Sequence, residues 1–251
     1  MPYAPCERST SITVSRYEVT LEPLPRWVKA GEKVTFTGVL TRNGAPVKGE
    51  YVDIYMDGKT RIRTGRTGRN GVFKAAWTAG FKYACSDHTF KAVHRRTGAE
   101  SPEQRMAIAY PTRVTISAPR EVQVGKPFTV TGRLQYEYAS GRWRALAGRT
   151  VAIYYDGNLL GHAKTDEKGN YSLEVAINTP GNFTLKAVFA GEALPMGAMA
   201  YTPTSAAVTV EAVGMPKEVP KAPQIPLGKV ALAVGLATSC VALACMAARR
   251  R

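Results

Sequence analysis

Alternating hydrophobic and polar residues run through most of the chain. Within residues 34–40, Val34 and Phe36 fall on one side of an extended strand, while Thr35 and Thr37 fall on the other. Dipeptides that end in glycine separate such stretches and predict tight turns. They are Asn43-Gly44, Asp57-Gly58, Asn70-Gly71, Asp156-Gly157 and Lys168-Gly169. Several short alternating strands with turns between them are typical of a β-sandwich, so the predicted fold class is all-β.

The chain repeats one succession of motifs in the same order. The second copy follows the first by 94 to 99 residues. The matching segments are 30–40 with 124–134, 52–58 with 151–157, 67–73 with 165–171, and 89–93 with 184–188. The repeat predicts two homologous units of similar size.

Each copy contains Thr-Gly-x-Leu in one strand, Ile-Tyr-x-Asp-Gly at a turn and Lys-Ala-Val in a later strand. In this succession, residues 12–212 resemble the immunoglobulin-like repeat domains of bacterial and archaeal surface proteins. The resemblance implies two tandem immunoglobulin-like β-sandwiches that act as spacers, adhesin stalks or cell-envelope modules, and it implies no active site. The Cys…Trp…Cys core of antibody domains is absent.

The predicted domain boundaries follow the repeat. Residues 1–11 form an irregular lead-in, residues 12–110 the first sandwich and residues 111–213 the second. Pro111 opens a very short joint between the sandwiches, which predicts limited swing. Four prolines among the lysines of residues 214–229 predict an extended Pro/Lys-rich spacer.

Residues 230–248 carry no charge and, as a helix, would span about 28 Å, close to the thickness of a hydrocarbon core. Lys229 precedes this run and a basic end, residues 249–251, follows it. The pattern predicts a single transmembrane helix with the C-terminus inside and the sandwiches outside the cytoplasm. No secretory signal is visible in residues 1–25, which fits this topology poorly. The alternative is an Ala-rich helix packed against protein. Small residues at every fourth position, Ala231, Gly235 and Ser239, would also allow self-association.

The net charge of +15 is unevenly distributed along the chain. Residues 1–110 carry +8, residues 111–213 carry +2 and residues 214–251 carry +5. Such a balance favours anionic partners such as phospholipid headgroups, acidic glycans or nucleic acid, without choosing among them. Together with the rest of the sequence, it predicts anionic glycans, lipid headgroups or envelope proteins as partners.

A basic stretch in the first unit is one candidate binding site. Alternation predicts one strand face for Lys59, Arg61 and Arg63, with Arg66 and Arg69 in the turns that follow. Clustered guanidinium groups can bind phosphate or carboxylate oxygens in pairs of hydrogen bonds. Because no aromatic residues interleave with these cations, a nucleic acid is disfavoured. The alternative is a solvated strand face without a ligand.

A second candidate lies in a segment that the first unit lacks. Trp143 stands between Arg142 and Arg144 in a loop inserted into the second unit. We expect an exposed Trp143 to indicate ligand binding, and a buried one to indicate plain scaffold.

Motifs of enzymes and metal sites are absent from the sequence, so no catalytic residue, cofactor or metal is predicted. Cys85 and His88 are close in sequence, but catalytic pairs more often join distant segments. Two of the four cysteines lie in the apolar run, which leaves Cys6 and Cys85 as the candidate disulfide; an unpaired thiol is the alternative.

These observations favour a membrane-anchored cell-surface module that acts as a spacer, in adhesion or in envelope structure. Two other hypotheses are an accessory or assembly subunit of a membrane complex and a carbohydrate-binding module. The last would need exposed aromatic residues, for which Trp143 is the best candidate.

Overall fold

The computed structural model describes residues 15–194, 197 and 199–214. These residues form β-strands, turns and a short 3₁₀ helix, Phe81–Tyr83, and contain no α-helix, so the all-β prediction is confirmed for them. Within this part of the chain no helix is long and apolar enough to cross a bilayer. The predicted lead-in (1–11), the spacer beyond residue 214, the predicted span (230–248) and the basic end (249–251) lie outside the described residues.

Sandwich 1 has nine strands, which are β1 Tyr17–Leu21, β2 Trp27–Lys29, β3 Lys33–Arg42, β4 Ala45–Pro46, β5 Tyr51–Met56, β6 Thr60–Arg66, β7 Val72–Thr78, β8 Ser86–His94 and β9 Gln104–Ala109. One sheet contains β1, β3, β4 and β7, with β3 pairing all the others. The other sheet has the order β2-β9-β8-β5-β6, in which only β2 and β9 are parallel. The chain crosses between the sheets after β1, β2, β4, β6 and β7. This is the Greek-key arrangement of immunoglobulin-like sandwiches.

Sandwich 2 repeats this layout with β10 Thr112–Ser117, β11 Glu121–Gln123, β12 Pro127–Ala139, β13 Arg142–Ala145, β14 Thr150–Tyr155, β15 Asn158–Lys164, β16 Asn170–Ala176, β17 Gly181–Phe189 and β20 Thr204–Val213. Its five-stranded sheet has the order β11-β20-β17-β14-β15, again with a parallel pair at one edge. Two further strands, β18 Glu192–Ala193 and β19 Met199–Tyr201, form a hairpin in the connection from β17 to β20. Both sandwiches belong to one compact unit.

The glycine of the repeated Thr-Gly-x-Leu motif is required by close packing. A Cβ at Gly38 would collide with the Thr20 carbonyl oxygen and with the Phe73 ring. Gly132 meets the equivalent carbonyl and the ring of Tyr171. Glycine therefore lets an aromatic ring of the neighbouring strand lie flat against the backbone of the central strand in both copies.

The two cores fill the same backbone with different side chains. Sandwich 1 buries a cluster of aromatic rings at positions where sandwich 2 places one tyrosine and aliphatic side chains. The pairs are Phe36 with Val130, Phe73 with Tyr171, Trp77 with Val175 and Phe90 with Leu185. Total volume and the apolar pattern decide whether such a core packs, so both solutions support one fold.

Candidate functional site

The basic segment of sandwich 1 lies on β6, the edge strand of the five-stranded sheet. Arg61 is opposite Tyr55 and Arg63 is opposite Ile54, so Ile62 is an extra residue between two consecutive partners. A β-bulge of this kind reverses the alternation of side chains along the strand. Arg61 and Arg63 consequently point to opposite faces of the sheet.

The predicted common face for three of the basic residues is therefore wrong. The Nε atom of Arg63 donates a hydrogen bond to the carbonyl oxygen of Ala76 at 2.8 Å, across the open edge toward the other sheet. Lys59 lies in the turn before β6, and Arg69 lies in the turn after it; both are exposed. Only Arg61 and Arg66 stay on the outer face of the five-stranded sheet.

On that outer face the structure assembles a cluster that we call the arginine–tyrosine face. Its members come from β5, from β6 and from the residue that follows β8, and they are Tyr51, Asp53, Arg61, Arg66 and Arg95. β5 lies between the other two strands, so its outward-pointing side chains are flanked on both sides by arginines. These five side chains supply one carboxylate, one exposed aromatic ring and three guanidinium groups, and Tyr55, which is opposite Arg61 on the same side of β5, adds a second ring that is half-buried.

Asp53 lies at the base of this face and is only 3% exposed. Arg95 donates two hydrogen bonds to its carboxylate, from Nε at 2.9 Å and from Nη2 at 2.7 Å, and Thr64 donates a third. Arg61 approaches the same carboxylate only to 3.9 Å. The hydrogen bonds from Arg95 hold the pKa of Asp53 below its usual range, although burial acts in the opposite direction. Asp53 thus stays ionised and fixes the orientation of Arg95.

Tyr51 lies at the end of the face where β5 begins, opposite Arg66, and its side chain is exposed, at 45%. The guanidinium carbon of Arg95 is 5.2 Å from its ring centroid, and that of Arg66 is 5.7 Å away. Arg66 is held by a hydrogen bond from its Nε to the Gly49 carbonyl oxygen at 3.1 Å. Among the described residues, no carboxylate lies within ion-pair distance of Arg66.

Sequence reasoning missed three members of this face: Tyr51, Asp53 and Arg95. The alternation of residues 51–56 already points Tyr51 and Asp53 away from the core, which is a signal that could have found them. Arg95 is distant in sequence, and only the pairing of β5 with β8 brings it to Asp53.

The segment with Trp143 is a strand and not an irregular loop. β12 and β13 form a long hairpin in which Trp143 is opposite Glu137 and Arg144 is opposite Tyr136. Trp143 is half-buried, and the guanidinium carbon of Arg113 lies 4.3 Å from its ring centroid.

The arginines on either side of Trp143 do not join it in one site. Arg144 points to the opposite face of the hairpin, where its guanidinium lies 4.0 Å from the ring centroid of Tyr138. Arg142 is exposed at the end of the hairpin. A ligand role for this segment stays a prediction, and the aromatic rings are already covered by arginines of the same sandwich.

Cys85 carries a free, half-buried thiol, while Cys6 lies outside the described residues, so their pairing stays a prediction. Burial, and then the charge of Glu192, raise the pKa of the Cys85 thiol, which keeps it protonated at neutral pH. Nearby His88 has both ring nitrogens occupied, by Asp57 at 2.7 Å and by the Tyr83 carbonyl oxygen at 2.9 Å. Neither group is placed as a nucleophile or its base. No cluster of metal-ligating side chains exists among the described residues.

No protein-family model and no curated protein matches this chain. The solved structures to which it is similar match it at low sequence identity and with low TM-scores. Fibronectin(III)-like modules of Clostridium thermocellum CbhA are 19% identical, over 78% of this chain and 94% of that one, with a TM-score of 0.34. A C-terminal fragment of intimin, solved with the intimin-binding domain of its translocated receptor, is 12% identical over 81% and 64%, with a TM-score of 0.42. The titin fragment I67–I69 is 16% identical over 79% and 65%, with a TM-score of 0.42. The immunoglobulin-like description of this chain rests on its own strand order and pairing.

Proposed function

We propose that this chain is a non-enzymatic display module, in which two immunoglobulin-like sandwiches are held as one body and tethered to a membrane by residues 230–248. The observation that carries the proposal is a strap, which is formed by the described residues 190–194, 197 and 199–203 of the connection from β17 to β20 and is hydrogen-bonded to the end of sandwich 1. The equivalent connection of sandwich 1, residues 95–103, is shorter and contains no hairpin. The strap is therefore an addition to the fold that the two sandwiches share.

The strap is hydrogen-bonded to the last residue of sandwich 1 and the first strand of sandwich 2. The Tyr110 N–H donates to the Ala200 carbonyl oxygen at 2.8 Å, and the Thr202 N–H donates to the Tyr110 carbonyl oxygen at 3.0 Å. The hydroxyl of Thr112 donates to the Thr202 carbonyl oxygen at 2.5 Å. Hydrogen bonds on both sides of Pro111, through the backbone of Tyr110 and the side chain of Thr112, thus leave the short joint little freedom to bend.

Aromatic packing reinforces these bonds. Tyr110, Tyr136 and Tyr201 form a cluster with ring centroids 5.2 to 5.9 Å apart, one ring from each side of the joint and one from the strap. Burial in this cluster raises the pKa of Tyr201 to about 12. Arg149 donates two hydrogen bonds to Glu192, at 2.7 and 3.2 Å, and so holds the first part of the strap against sandwich 2. Aromatic pairs of this geometry add about 1 kcal/mol each beyond their buried area.

A stiff joint is what a spacer or an adhesive stalk needs, because a freely bending joint would not hold its outer domain at a fixed distance. An enzyme is not supported, since the protonated Cys85 and the fully engaged His88 leave no activated nucleophile in the segment that resembled one. The tether is supported by the uncharged run 230–248 and its flanking cations.

The test compares the full chain with a chain that ends at Pro226, both expressed in cells. We expect carbonate extraction to release only the shorter chain, and protease added to intact cells to cleave the sandwiches of the full chain. Release of the full chain by carbonate would refute the tether. Sandwiches that stay protected on an extraction-resistant chain would refute surface display and favour an accessory subunit of a membrane complex.

A further inference from the structure

We propose that the arginine–tyrosine face binds an acidic polysaccharide, with sulfate or carboxylate groups on Arg61 and Arg66 and a sugar ring on Tyr51. This site rests on the proposed function, because a displayed sandwich 1 would present the face to ligands outside the cell. The site goes beyond a run of basic residues, since it omits Lys59, Arg63 and Arg69 and includes Tyr51, Asp53 and Arg95.

The first argument comes from the duplication of the fold. The hairpin β14–β15 has the same bulge as β5–β6, so each position of the face has an equivalent in sandwich 2. The equivalents of Tyr51, Asp53, Arg61, Arg66 and Arg95 are Thr150, Ala152, Leu159, Lys164 and Ala190. Sandwich 2 folds with these residues, of which only Lys164 is charged. Thr150, Ala152 and Ala190 line a shallow groove of about 580 Å³ on its outer face. The sheet therefore does not require arginines here.

The second argument concerns preorganisation. Buried Asp53 holds Arg95 with two hydrogen bonds, and Arg95 in turn lies beside Tyr51. Arg66 is positioned by a backbone carbonyl and has no carboxylate partner in the described part of the chain. Its remaining N–H groups can form paired hydrogen bonds with an acidic group without breaking an internal ion pair. Arg61 makes only a long contact of 3.9 Å with Asp53, which already receives two hydrogen bonds from Arg95, so Arg61 can turn to a ligand at small cost. Little side-chain entropy is lost when such fixed groups bind.

The third argument selects the class of ligand. Three guanidinium groups and one carboxylate give the face a net positive charge, and the exposed ring of Tyr51 offers an apolar plate among them. An acidic polysaccharide matches this arrangement because it alternates charged groups with the apolar faces of sugar rings. A bilayer would need several exposed apolar side chains here, but the other large exposed hydrophobic residue of the described chain, Leu159, lies on sandwich 2. A single-stranded nucleic acid would need more than one exposed stacking ring, and Tyr55, the other ring on this face, is half-buried.

The test measures binding of the full chain in detergent to dextran sulfate and to polygalacturonate, with unsubstituted dextran as the neutral probe. We expect both acidic polymers to bind and dextran not to bind. The double variant Arg61→Leu/Arg66→Ala should raise Kd by at least about tenfold, since it removes two charged hydrogen-bonding groups. Tyr51→Thr, which installs the residue of sandwich 2, should raise Kd by about threefold to tenfold.

A matched control removes the same charge from sandwich 2. Arg120 and Lys164 are both exposed, and Arg120→Ala/Lys164→Ala should change Kd by less than about twofold. An equal loss in both double variants would overturn the proposal, because binding would then depend on total charge alone. Stronger binding of the wild-type chain to vesicles of anionic phospholipid or to a single-stranded oligonucleotide than to either polymer would also overturn it.

A second variant guards against loss of fold. Arg61→Lys/Arg66→Lys keeps both charges but removes the paired donors, and it should raise Kd by about fivefold. Unchanged binding by this variant would refute a site built on guanidinium geometry. All of these assays are done in solution, so their failure is distinguishable from failure of the extraction and protease tests of surface display.

Discussion

The two sandwiches have the same strand layout, but only some of its positions carry the same residue types in both copies. The turns, the bulged hairpin and the close-packed glycine recur at equivalent places, as do buried Thr67 and Thr165, whose hydroxyl groups each accept a hydrogen bond from a backbone N–H of the facing strand or turn. The core side chains and the outer faces do not recur. At a tight turn or a close backbone contact, only a few residue types can adopt the required geometry. A core position accepts any apolar side chains of the right total volume, and a solvent-facing position accepts almost any residue type. The outer faces differ most: sandwich 1 has Arg61, Arg66 and Arg95 where sandwich 2 has Leu159, Lys164 and Ala190.

The largest expected effect tests the difference between the cores. Phe36→Ala should lower the free energy of unfolding by about 4 kcal/mol, because it opens a cavity among the rings of Trp77 and Phe90. Val130→Ala, at the equivalent position, should cost about 2 kcal/mol because it removes fewer buried atoms. Urea unfolding of the full chain, followed by circular dichroism, measures both values. Equal losses would show that the aromatic cluster adds nothing to the stability of sandwich 1.

The next prediction tests what the copies share. Gly38→Ala and Gly132→Ala should each lower the free energy of unfolding by about 3 kcal/mol, since each new methyl group would push a carbonyl and a ring apart. Gly214→Ala is the control, because nothing lies within 4 Å of the added carbon, and it should be nearly neutral. The same urea experiment applies. A mild effect in only one copy would mean that this sandwich relaxes around the methyl group.

A third prediction concerns Asp53, which sandwich 2 replaces with Ala152. Asp53→Asn should lower the free energy of unfolding by about 2 kcal/mol at pH 7, because it weakens the charged hydrogen bonds from Arg95. The pKa of Asp53 is lower in the folded chain than its ordinary value of 3.8. Its stabilisation is therefore complete above about pH 5 and is lost as the pH falls through that lowered pKa.

Urea midpoints measured at pH 7 and pH 3 check this dependence. The gap between wild type and Asp53→Asn should narrow at the lower pH. Asp87→Asn serves as the control, since Asp87 is exposed and makes no ion pair within the described residues, and it should leave the midpoint unchanged at both pH values. A gap that is the same at pH 3 and pH 7 would contradict an ionic role for Asp53.

The smallest expected effect compares the strap of sandwich 2 with the shorter connection of sandwich 1, residues 95–103. Glu192→Ala removes the partner of Arg149 and should cost about 1 kcal/mol or less, because both side chains are partly exposed. Hydrogen exchange should quicken at the amides of Tyr110 and Thr202 and stay unchanged in β12 and β16. Glu103→Ala, in the shorter connection of sandwich 1, should leave all of these amides protected. Unchanged exchange in Glu192→Ala would show that the aromatic cluster alone holds the joint.

The sequence by itself determined the all-β class and the repeated unit. Period-two alternation is a local property, and turns such as Asp57-Gly58 require φ > 0 at positions that can be read directly from the chain. The membrane span, the spacer and the pairing of Cys6 remain predictions from sequence alone.

Only the tertiary structure decided which side chains share a face. The single extra residue Ile62 reversed the expected side of Arg63, and no alternation pattern contains that bulge because it depends on the register with β5. Arg95 reaches Asp53, and the strap reaches Tyr110, through pairings between distant parts of the chain. The arginine–tyrosine face and the strap contacts thus depend on the register of strands that are distant in sequence. Side-chain packing across both sheets selects that register, and the local hydrophobic pattern does not encode it.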